Sequence, residues 1–337
     1  MRDYIMQIVQ GENLRHDQIS VIMELIMAGQ VPVEDIKDFL LALNKKGPTI
    51  EEITACALIM RKFVLPVKSH HEVILDTCGT GGDHRDTFNI STVAAIVVAA
   101  SGVAVAKHGN RSVSSKCGSA DVLEALGVNL HVEERHLNDC LNKIGLAFLF
   151  AQRLHPAMKN VAFARQEIGV KTIFNILGPL TNPAQATHQI MGVYNRDLIE
   201  PMAHVLKNLG LKRALVVHGN DGLDEVTTTD KTFICEFNGH DIIGYDTTPE
   251  ELGFKRASME DLTGGDAIDN ATIVRALLEG EQGPKRDIVI INAAYALYTA
   301  QAVANIKQGV LMAEHAIDSK RAIQKLEELK EFTNRVR

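Results

Sequence analysis

Asp76-Thr77-Cys78-Gly79-Thr80-Gly81-Gly82-Asp83 sets three glycines within four positions, between apolar Val73-Ile74-Leu75 and the helix-like opening Asn89-Ile90-Ser91-Thr92. A strand, a glycine turn and a helix start converge backbone N–H donors on one point, which holds phosphate oxygens without a side-chain charge. Neither a Gly-x-x-x-x-Gly-Lys-Ser/Thr run nor a Gly-x-Gly-x-x-Gly opening occurs there. The loop therefore favours a phosphorylated ligand other than a nucleoside triphosphate or a dinucleotide.

A second segment runs Lys107-His108-Gly109-Asn110-Arg111-Ser112-Val113-Ser114-Ser115 and on through Lys116 to Asp121. It follows the expected strand Val103 to Ala106, and ligands of α/β sheets bind at such carboxyl ends. Its cations and serine hydroxyls suit a polyanion; the plainer reading is a solvated loop in which Ser119 caps a helix from Ala120 to Leu126. A third segment, Gly219-Asn220-Asp221-Gly222-Leu223-Asp224-Glu225, brings adjacent carboxylates to another strand end. Hard oxygen ligands beside phosphate suit Mg²⁺, although an acidic pair after a glycine turn is also common as a solvated loop. The fourth runs from Arg153 to Pro183 and contains His155, Arg165 and Phe174-Asn175-Ile176-Leu177-Gly178-Pro179-Leu180-Thr181-Asn182-Pro183. Its Gly-Pro break marks a hinge candidate, and Arg165 suits a carboxylate or a surface salt bridge equally.

The elements that must position these residues divide near Pro66. Residues 1–65 read as helical, with Ile19, Ile22, Met23, Leu25 and Ile26 at helical intervals and a further helix starting at Val33-Glu34-Asp35. Beyond, β-branched runs alternate with helices: Val73 to Leu75, Val103 to Ala106, Leu146 to Phe150, Gln189 to Val193, Ala214 to Val217 and Asp287 to Ile291. A hairpin is expected between Thr227 and Ile243 around Asn238-Gly239, and helix after Gly309. The pattern predicts an α/β protein: a small all-helical domain over 1–65, with part of 153–185 packed on it, and an α/β domain over 66–337 with a central, mainly parallel sheet.

Composition narrows the classes. The chain of 337 residues has 35 Lys+Arg against 42 Asp+Glu, a net charge of −7, which disfavours general attraction to nucleic acid or anionic lipid. Cys56, Cys78, Cys117, Cys140 and Cys235 are scattered and odd in number, which fits a reducing cytoplasm better than a disulfide framework or a zinc site. The apolar stretch from Ala94 to Ala106 is too short for a bilayer and reads as a buried helix followed by a strand, so no membrane association is expected.

Taken together and in this order, the segments resemble the anthranilate phosphoribosyltransferase family. The resemblance rests on Gly79 to Asp83, Asn89 to Thr92, Lys107 to Asp121, Phe174 to Pro183 and Asp221 to Glu225. It implies transfer of the phosphoribosyl group of 5-phosphoribosyl 1-pyrophosphate to anthranilate with release of pyrophosphate, as a step of tryptophan biosynthesis. The same resemblance implies a phosphoribosyl-pyrophosphate site formed by Gly79, Gly82, Asp83, Thr87, Asn89, Ile90, Ser91, Thr92, Lys107, His108, Gly109, Asn110, Arg111, Ser112, Val113, Ser114, Ser115 and Ser119. Ser91, Asp224 and Glu225 are implied to hold one or two Mg²⁺ ions, and Gly79, His108, Asn110, Arg165 and Gly178 to face anthranilate. Lys107, Asp83 and His108 are the implied catalytic residues; His108 is expected to stack on or hydrogen-bond the aromatic substrate, or to take its proton after attack. A homodimer through the helical domains is implied as well. His84-Arg85-Asp86, Phe163-Ala164 and Met158 depart from the family's pattern beside these positions. The rival readings are a pyrimidine nucleoside phosphorylase, which shares the Lys-x-Gly-Asn-Arg stretch, and a non-catalytic relative that binds nucleic acid.

Overall fold

The computed structural model describes residues 1–112 and 116–335. Four helices come first: α1 (Arg2–Val9), α2 (His16–Met27), α3 (Val33–Lys46) and α4 (Ile50–Lys62). A reciprocal cap fixes the start of α4. The Thr49 hydroxyl accepts from the N–H of Glu52, and the Glu52 carboxylate accepts from the N–H of Thr49 at 2.8 Å. That carboxylate is fully buried, and it also accepts from the N–H of Leu14 and from Lys46 Nζ. The α1–α2 connection is thereby tied to the α3–α4 corner.

Strands then alternate with helices: β1 (Ile74–Asp76), α5 (Ile90–Ala100), β2 (Ala104–Gly109), α6 (Ser119–Ala125), α7 (Glu134–Ile144) and β3 (Leu146–Phe150). The short α8 (Ala151–Leu154), α9 (Lys159–Ile168) and α10 (Phe174–Leu177) lead to β4 (His188–Gly192), α11 (Ile199–Asn208) and β5 (Arg213–Gly219). A hairpin of β6 (Thr232–Phe237) and β7 (Ile242–Thr247) follows, then α12 (Ala267–Leu278), α13 (Pro284–Thr299), α14 (Ile306–Asp318) and α15 (Arg321–Asn334). Among the described residues the strands form one sheet in the order β3-β2-β1-β4-β5-β6-β7. Pairing is parallel from β3 to β5 and antiparallel across the hairpin. Small helical and large α/β parts are both as the sequence leads one to expect.

Alternation along the strands separates two cores. On β4 and β5, Ile190, Leu215 and Val217 join a core built with α5 and the C-terminal helices, whereas Met191, Ala214 and Val216 face the other way. That second core includes Ile22, Ile26, Phe39 and Ile53 of the first four helices together with Val161 and Phe174 of α9 and α10. Among the described residues no helix is long and apolar enough to cross a membrane.

Three local expectations are corrected. Asp287 to Ile291 is no strand but the first half of α13, a helix of 16 residues starting on Pro284. Ile288, Val289, Ile290 and Ile291 are all buried, so the helix has no polar face there, and an apolar run without periodicity does not tell helix from strand. β2 continues to Gly109 because Lys107, His108 and Gly109 pair with Phe148, Leu149 and Phe150 of β3; these residues are strand rather than loop. Ser119 is the first residue of α6 rather than its cap, and its hydroxyl donates to the carbonyl of Asn110.

Candidate functional site

The order of the sheet reverses between β1 and β4: the chain winds outward from β1 through β2 to β3, then returns to place β4 on the opposite side of β1. Crevices for ligands in α/β sheets form at the carboxyl ends of strands beside such a reversal. The glycine loop leaves β1 there, and the chain after β4 runs alongside it. Thr80 N–H donates to the Gly192 carbonyl at 2.9 Å, and the Tyr194 N–H donates to the Thr80 hydroxyl at 3.1 Å. Gly81 and Gly82 have φ of 61° and 78°, a left-handed geometry that glycine adopts without steric cost. Gly192 admits no side chain, since a Cβ there would stand 1.6 Å from the carbonyl oxygen of Asp224.

That close approach brings in the acidic loop after β5. Asp221 accepts from the N–H of Leu223 and from the hydroxyls of Thr227 and Thr229, and Asn292 of α13 clamps the far side. The buried Asn292 amide accepts from the N–H of Val226 at 3.0 Å and donates to its carbonyl at 2.9 Å. Asp224 and Glu225 are thus held half-buried at the strand end. Asp224 accepts from Gly81 N–H at 2.8 Å, and Glu225 accepts from Ser91 N–H in the first turn of α5 at 3.2 Å. Burial pushes both carboxyl groups up, reinforced by the charge of Asp83 at Asp224 and of Asp224 at Glu225. Facing them, buried Lys107 Nζ donates to the carbonyl and hydroxyl oxygens of Thr77 and to the Ser91 hydroxyl at 3.2–3.3 Å. Thr77, Gly79, Ser91, Asp224, Glu225 and Asn292 line one small cavity. Clustered carboxylates, a serine hydroxyl and a neighbouring phosphate-type loop fit Mg²⁺, which prefers hard oxygen donors and relieves their mutual repulsion.

On the other side of Lys107 lies a buried polar network. Asp76 accepts from the His108 N–H at 3.1 Å and from Asn182 Nδ2 at 2.7 Å, while Asn182 Nδ2 also reaches the Ala106 carbonyl. Burial raises the Asp76 carboxyl to about 6 against these donors and the charge of Lys107. His108 Nδ1 lies 3.1 Å from the Gly178 carbonyl, which can only accept, so Nδ1 carries the proton. His108 Nε2 then accepts from His155 Nε2 at 3.0 Å. Burial, then the neighbouring His155, holds His108 well below the usual histidine range, and burial alone brings His155 down to about 4. Asp76, Cys78 and His108 lie close enough for a metal ion, but the hydrogen bonds to Asp76 and His108 make them a satisfied structural network.

The remaining expected residues divide. Arg165, half-buried on α9, has no carboxylate partner among the described residues; its guanidinium lies 5.6 Å from the Phe174 ring, and burial lowers its pKa. Arg111 is occupied: it pairs with Asp121 at 2.9 Å and Glu124 at 2.8 Å. Asp121 also accepts from the N–H groups of Ser112 and Gly118, closing the segment at its base. Asn110 accepts from the Ala120 N–H and the Ser119 hydroxyl through its carbonyl, and a Cβ at Gly109 would strike Ser119 Oγ and Phe148. Asn89 spans from Cys117 to Asn270, and Thr87 bridges to Thr263. Ile90 turns its side chain into the core, and buried Thr92 has a hydroxyl without a partner among the described residues. Val113, Ser114 and Ser115 lie outside the described residues. His155 lies in the fourth segment, where sequence gives it no role, and its partner becomes visible only here; Asn292 goes unmarked in the sequence, its one signal an amide inside an apolar run.

Similarity to known proteins extends over nearly the whole chain. Residues 2–64 match the glycosyl transferase family, helical bundle domain, and residues 71–323 match the glycosyl transferase family, a/b domain. The anthranilate phosphoribosyltransferase of Acetivibrio thermocellus is 51% identical over 334 residues, 99% of this chain and 97% of that protein. That of Petrotoga mobilis is 48% identical over 331 residues, 98% of this chain and 96% of its own. The crystal structure of the Thermus thermophilus enzyme matches with a TM-score of 0.93 at 42% identity, covering 98% of this chain and 99% of that one. The Saccharomyces cerevisiae enzyme, solved in complex with PRPP and Mg, matches with a TM-score of 0.87 at 28% identity, over 95% of this chain and 93% of that one.

The histidine pair has a consequence for acid stability. The folded state holds His155 at about 4, below its unfolded value near 6.5, so the unfolded chain binds more protons between these values. Its contribution is complete above pH 6.5 and is lost as pH falls toward 4, by roughly 3 kcal/mol. Denaturant titrations between pH 7 and 4.5 are expected to show a shallower loss in His155→Asn than in the unsubstituted protein. Equal slopes would remove the histidine from the acid response.

Proposed function

The chain belongs to the anthranilate phosphoribosyltransferase family, and we propose that its strand-end crevice transfers the 5-phosphoribosyl group from 5-phosphoribosyl 1-pyrophosphate to anthranilate. The products are N-(5-phosphoribosyl)anthranilate and pyrophosphate, a step of tryptophan biosynthesis. What carries this assignment of the site is the meeting of the glycine loop, Lys107 and the Asp224-Glu225 pair at the β1/β4 reversal. The relatives lend no support to a nucleoside phosphorylase or a nucleic-acid-binding protein.

The anthranilate amine is uncharged at neutral pH, so attack on C1 of the ribose needs no prior deprotonation and no covalent enzyme intermediate. What the reaction needs is stabilisation of the departing pyrophosphate. Gly79, Gly82 and Asp83 supply backbone donors from the loop, and Lys107, inside β2, supplies a fixed positive charge. Asn89, Ser91, Thr92 and Asn110, with Thr87, Ser112 and Ser119, surround the rest of the phosphoribosyl group. Ile90 and Arg111 act through the packing of α5 and of the 111–121 segment. Ser91, Asp224 and Glu225 would hold one or two Mg²⁺ ions; bound there, Mg²⁺ neutralises charge on the pyrophosphate. Arg165 pairs with the anthranilate carboxylate, beside Gly79, Asn110 and Gly178. His108 presents its ring face and holds the Gly178 carbonyl, because its two nitrogens are already engaged.

We further propose that residues 1–65 and 66–337 act as two domains. The break near Pro66 and Gly178-Pro179 lets them close and exclude water from C1. Exposed Met6, Val9, Val21 and Leu41 suit a homodimer through the helical part, and the cytoplasm suits the five free thiols.

Anthranilate fluorescence is expected to decay when the protein, phosphoribosyl pyrophosphate and Mg²⁺ are combined; no decay with folded protein would sink the assignment. Lys107→Ala should lower kcat about a hundredfold, the usual scale for one preorganised charge-stabilising contact, and near-normal turnover in the folded variant would refute its role. Glu225→Gln is expected to move the Mg²⁺ activation curve to higher concentration. An unchanged curve would remove Glu225 from the metal site.

A further inference from the structure

The connector between α9 and α10 reaches the glycine loop at Gly82. Gly169 ends α9 in the left-handed conformation, and the buried Thr172, whose N–H donates to Asn175 Oδ1 at 2.8 Å, anchors the chain again three residues later. Lys171 lies between these fixed points. Its ammonium donates to the Gly82 carbonyl at 3.0 Å and lies 3.6 Å from the centre of the Tyr194 ring. The same Tyr194 is tied through its N–H to Thr80, so one cation bridges the two flanks of the loop.

The glycine loop's other bonds stop short of Gly82 among the described residues. Thr80 is bound to the end of β4 and Gly81 to Asp224, but among the described residues the hydrogen bond from Lys171 is the one that reaches Gly82. Gly82 has the widest conformational freedom of any residue type and sits at positive φ, so without that bond its carbonyl has no fixed direction. The C=O and N–H of a trans peptide point in opposite directions. A carbonyl fixed on the Lys171 side therefore turns the Asp83 N–H away from Lys171, and a cation on the oxygen strengthens that N–H as a donor.

We propose that Lys171 is a positioning residue for phosphoribosyl pyrophosphate, acting through the Gly82–Asp83 peptide; this rests on the assignment of the crevice above. Lys171 is exposed, so its substitution leaves the cores intact, and its effect belongs to one substrate. The test uses calorimetric binding of Mg²⁺-phosphoribosyl pyrophosphate together with steady-state kinetics. Lys171→Met is expected to weaken binding and raise KM for phosphoribosyl pyrophosphate about tenfold, the scale of one charged hydrogen bond, while KM for anthranilate changes less than about twofold. Lys171→Arg, which keeps the donor and stacks on tyrosine, is expected to restore binding to within about threefold. Binding unchanged in Lys171→Met, or lost equally in both variants, overturns the role of Lys171 and leaves the reaction intact. An unsubstituted protein that binds no phosphoribosyl pyrophosphate overturns both.

Discussion

Asp76 occupies the end of a three-residue strand that must pair on both sides, with β2 and with β4. So short a ladder fixes little by itself, and the buried carboxylate does what the missing pairs would do. It accepts from the backbone of His108 on β2 and from Asn182, which in turn grips the Ala106 carbonyl. Three chain segments distant in sequence are locked at one level. From that level the glycine loop, the end of β2 and the Gly178-Pro179 segment all depart, so their relative positions follow from one buried acid. A carboxylate in an apolar interior is costly unless each oxygen has a donor. Here both have one, which turns a potential liability into a geometric constraint.

The charge pattern of the crevice follows from what surrounds this point. Lys107 is two residues before the end of a paired strand and cannot swing away, so its ammonium is fixed among neutral oxygens rather than neutralised by a direct carboxylate contact. Asp224 and Glu225 lie near it, raised by burial and then by the charge of Asp83 at Asp224 and of Asp224 at Glu225. Two acids held by the N–H groups of Gly81 and Ser91 beside one immobile cation form a charge pattern that suits the phosphate and Mg²⁺ of the proposed ligand. The histidine pair is the contrary case: neutral, mutually hydrogen-bonded and complete, it shapes the neighbouring wall without demanding a charge.

What could be read from the sequence were the features whose chemistry is local. The glycines from Gly79 to Gly82 advertise a backbone turn, Asp224-Glu225 advertises charge, and Leu146 to Phe150 is a strand over the whole of that run. The hairpin at Asn238-Gly239 was equally legible, because turn residues carry their conformation with them. α13 was not, since a helix buried on every side loses the period that would identify it. Lys107 to Gly109 read as loop because glycine and charge outweigh the pairing partner, which lies some forty residues on. Asn292 and the Asp76–Asn182 bond were hidden for a related reason: each is a single polar residue whose meaning comes from a partner 66 or 106 positions away.

The two cores explain why the crevice needs contributions from opposite faces of the sheet. α5 and Asn292 of α13, which present Ser91 and brace the acidic loop, belong to the core on one face; α9 and α10, which carry Arg165 and lead into Gly178, are rooted with the first four helices on the other. Each set is rigid within its own packing, since interiors at crystal-like density do not deform continuously. The glycine loop and the Gly178-Pro179 segment lie where these two packings meet, the latter between fully buried Leu177 and Leu180. The glycine loop's bonds to Asp224 and to Lys171 connect it to both. Each charge of the crevice is thus rooted in one body, Asp224 and Glu225 on the side braced by Asn292 and Arg165 on the side of the first four helices.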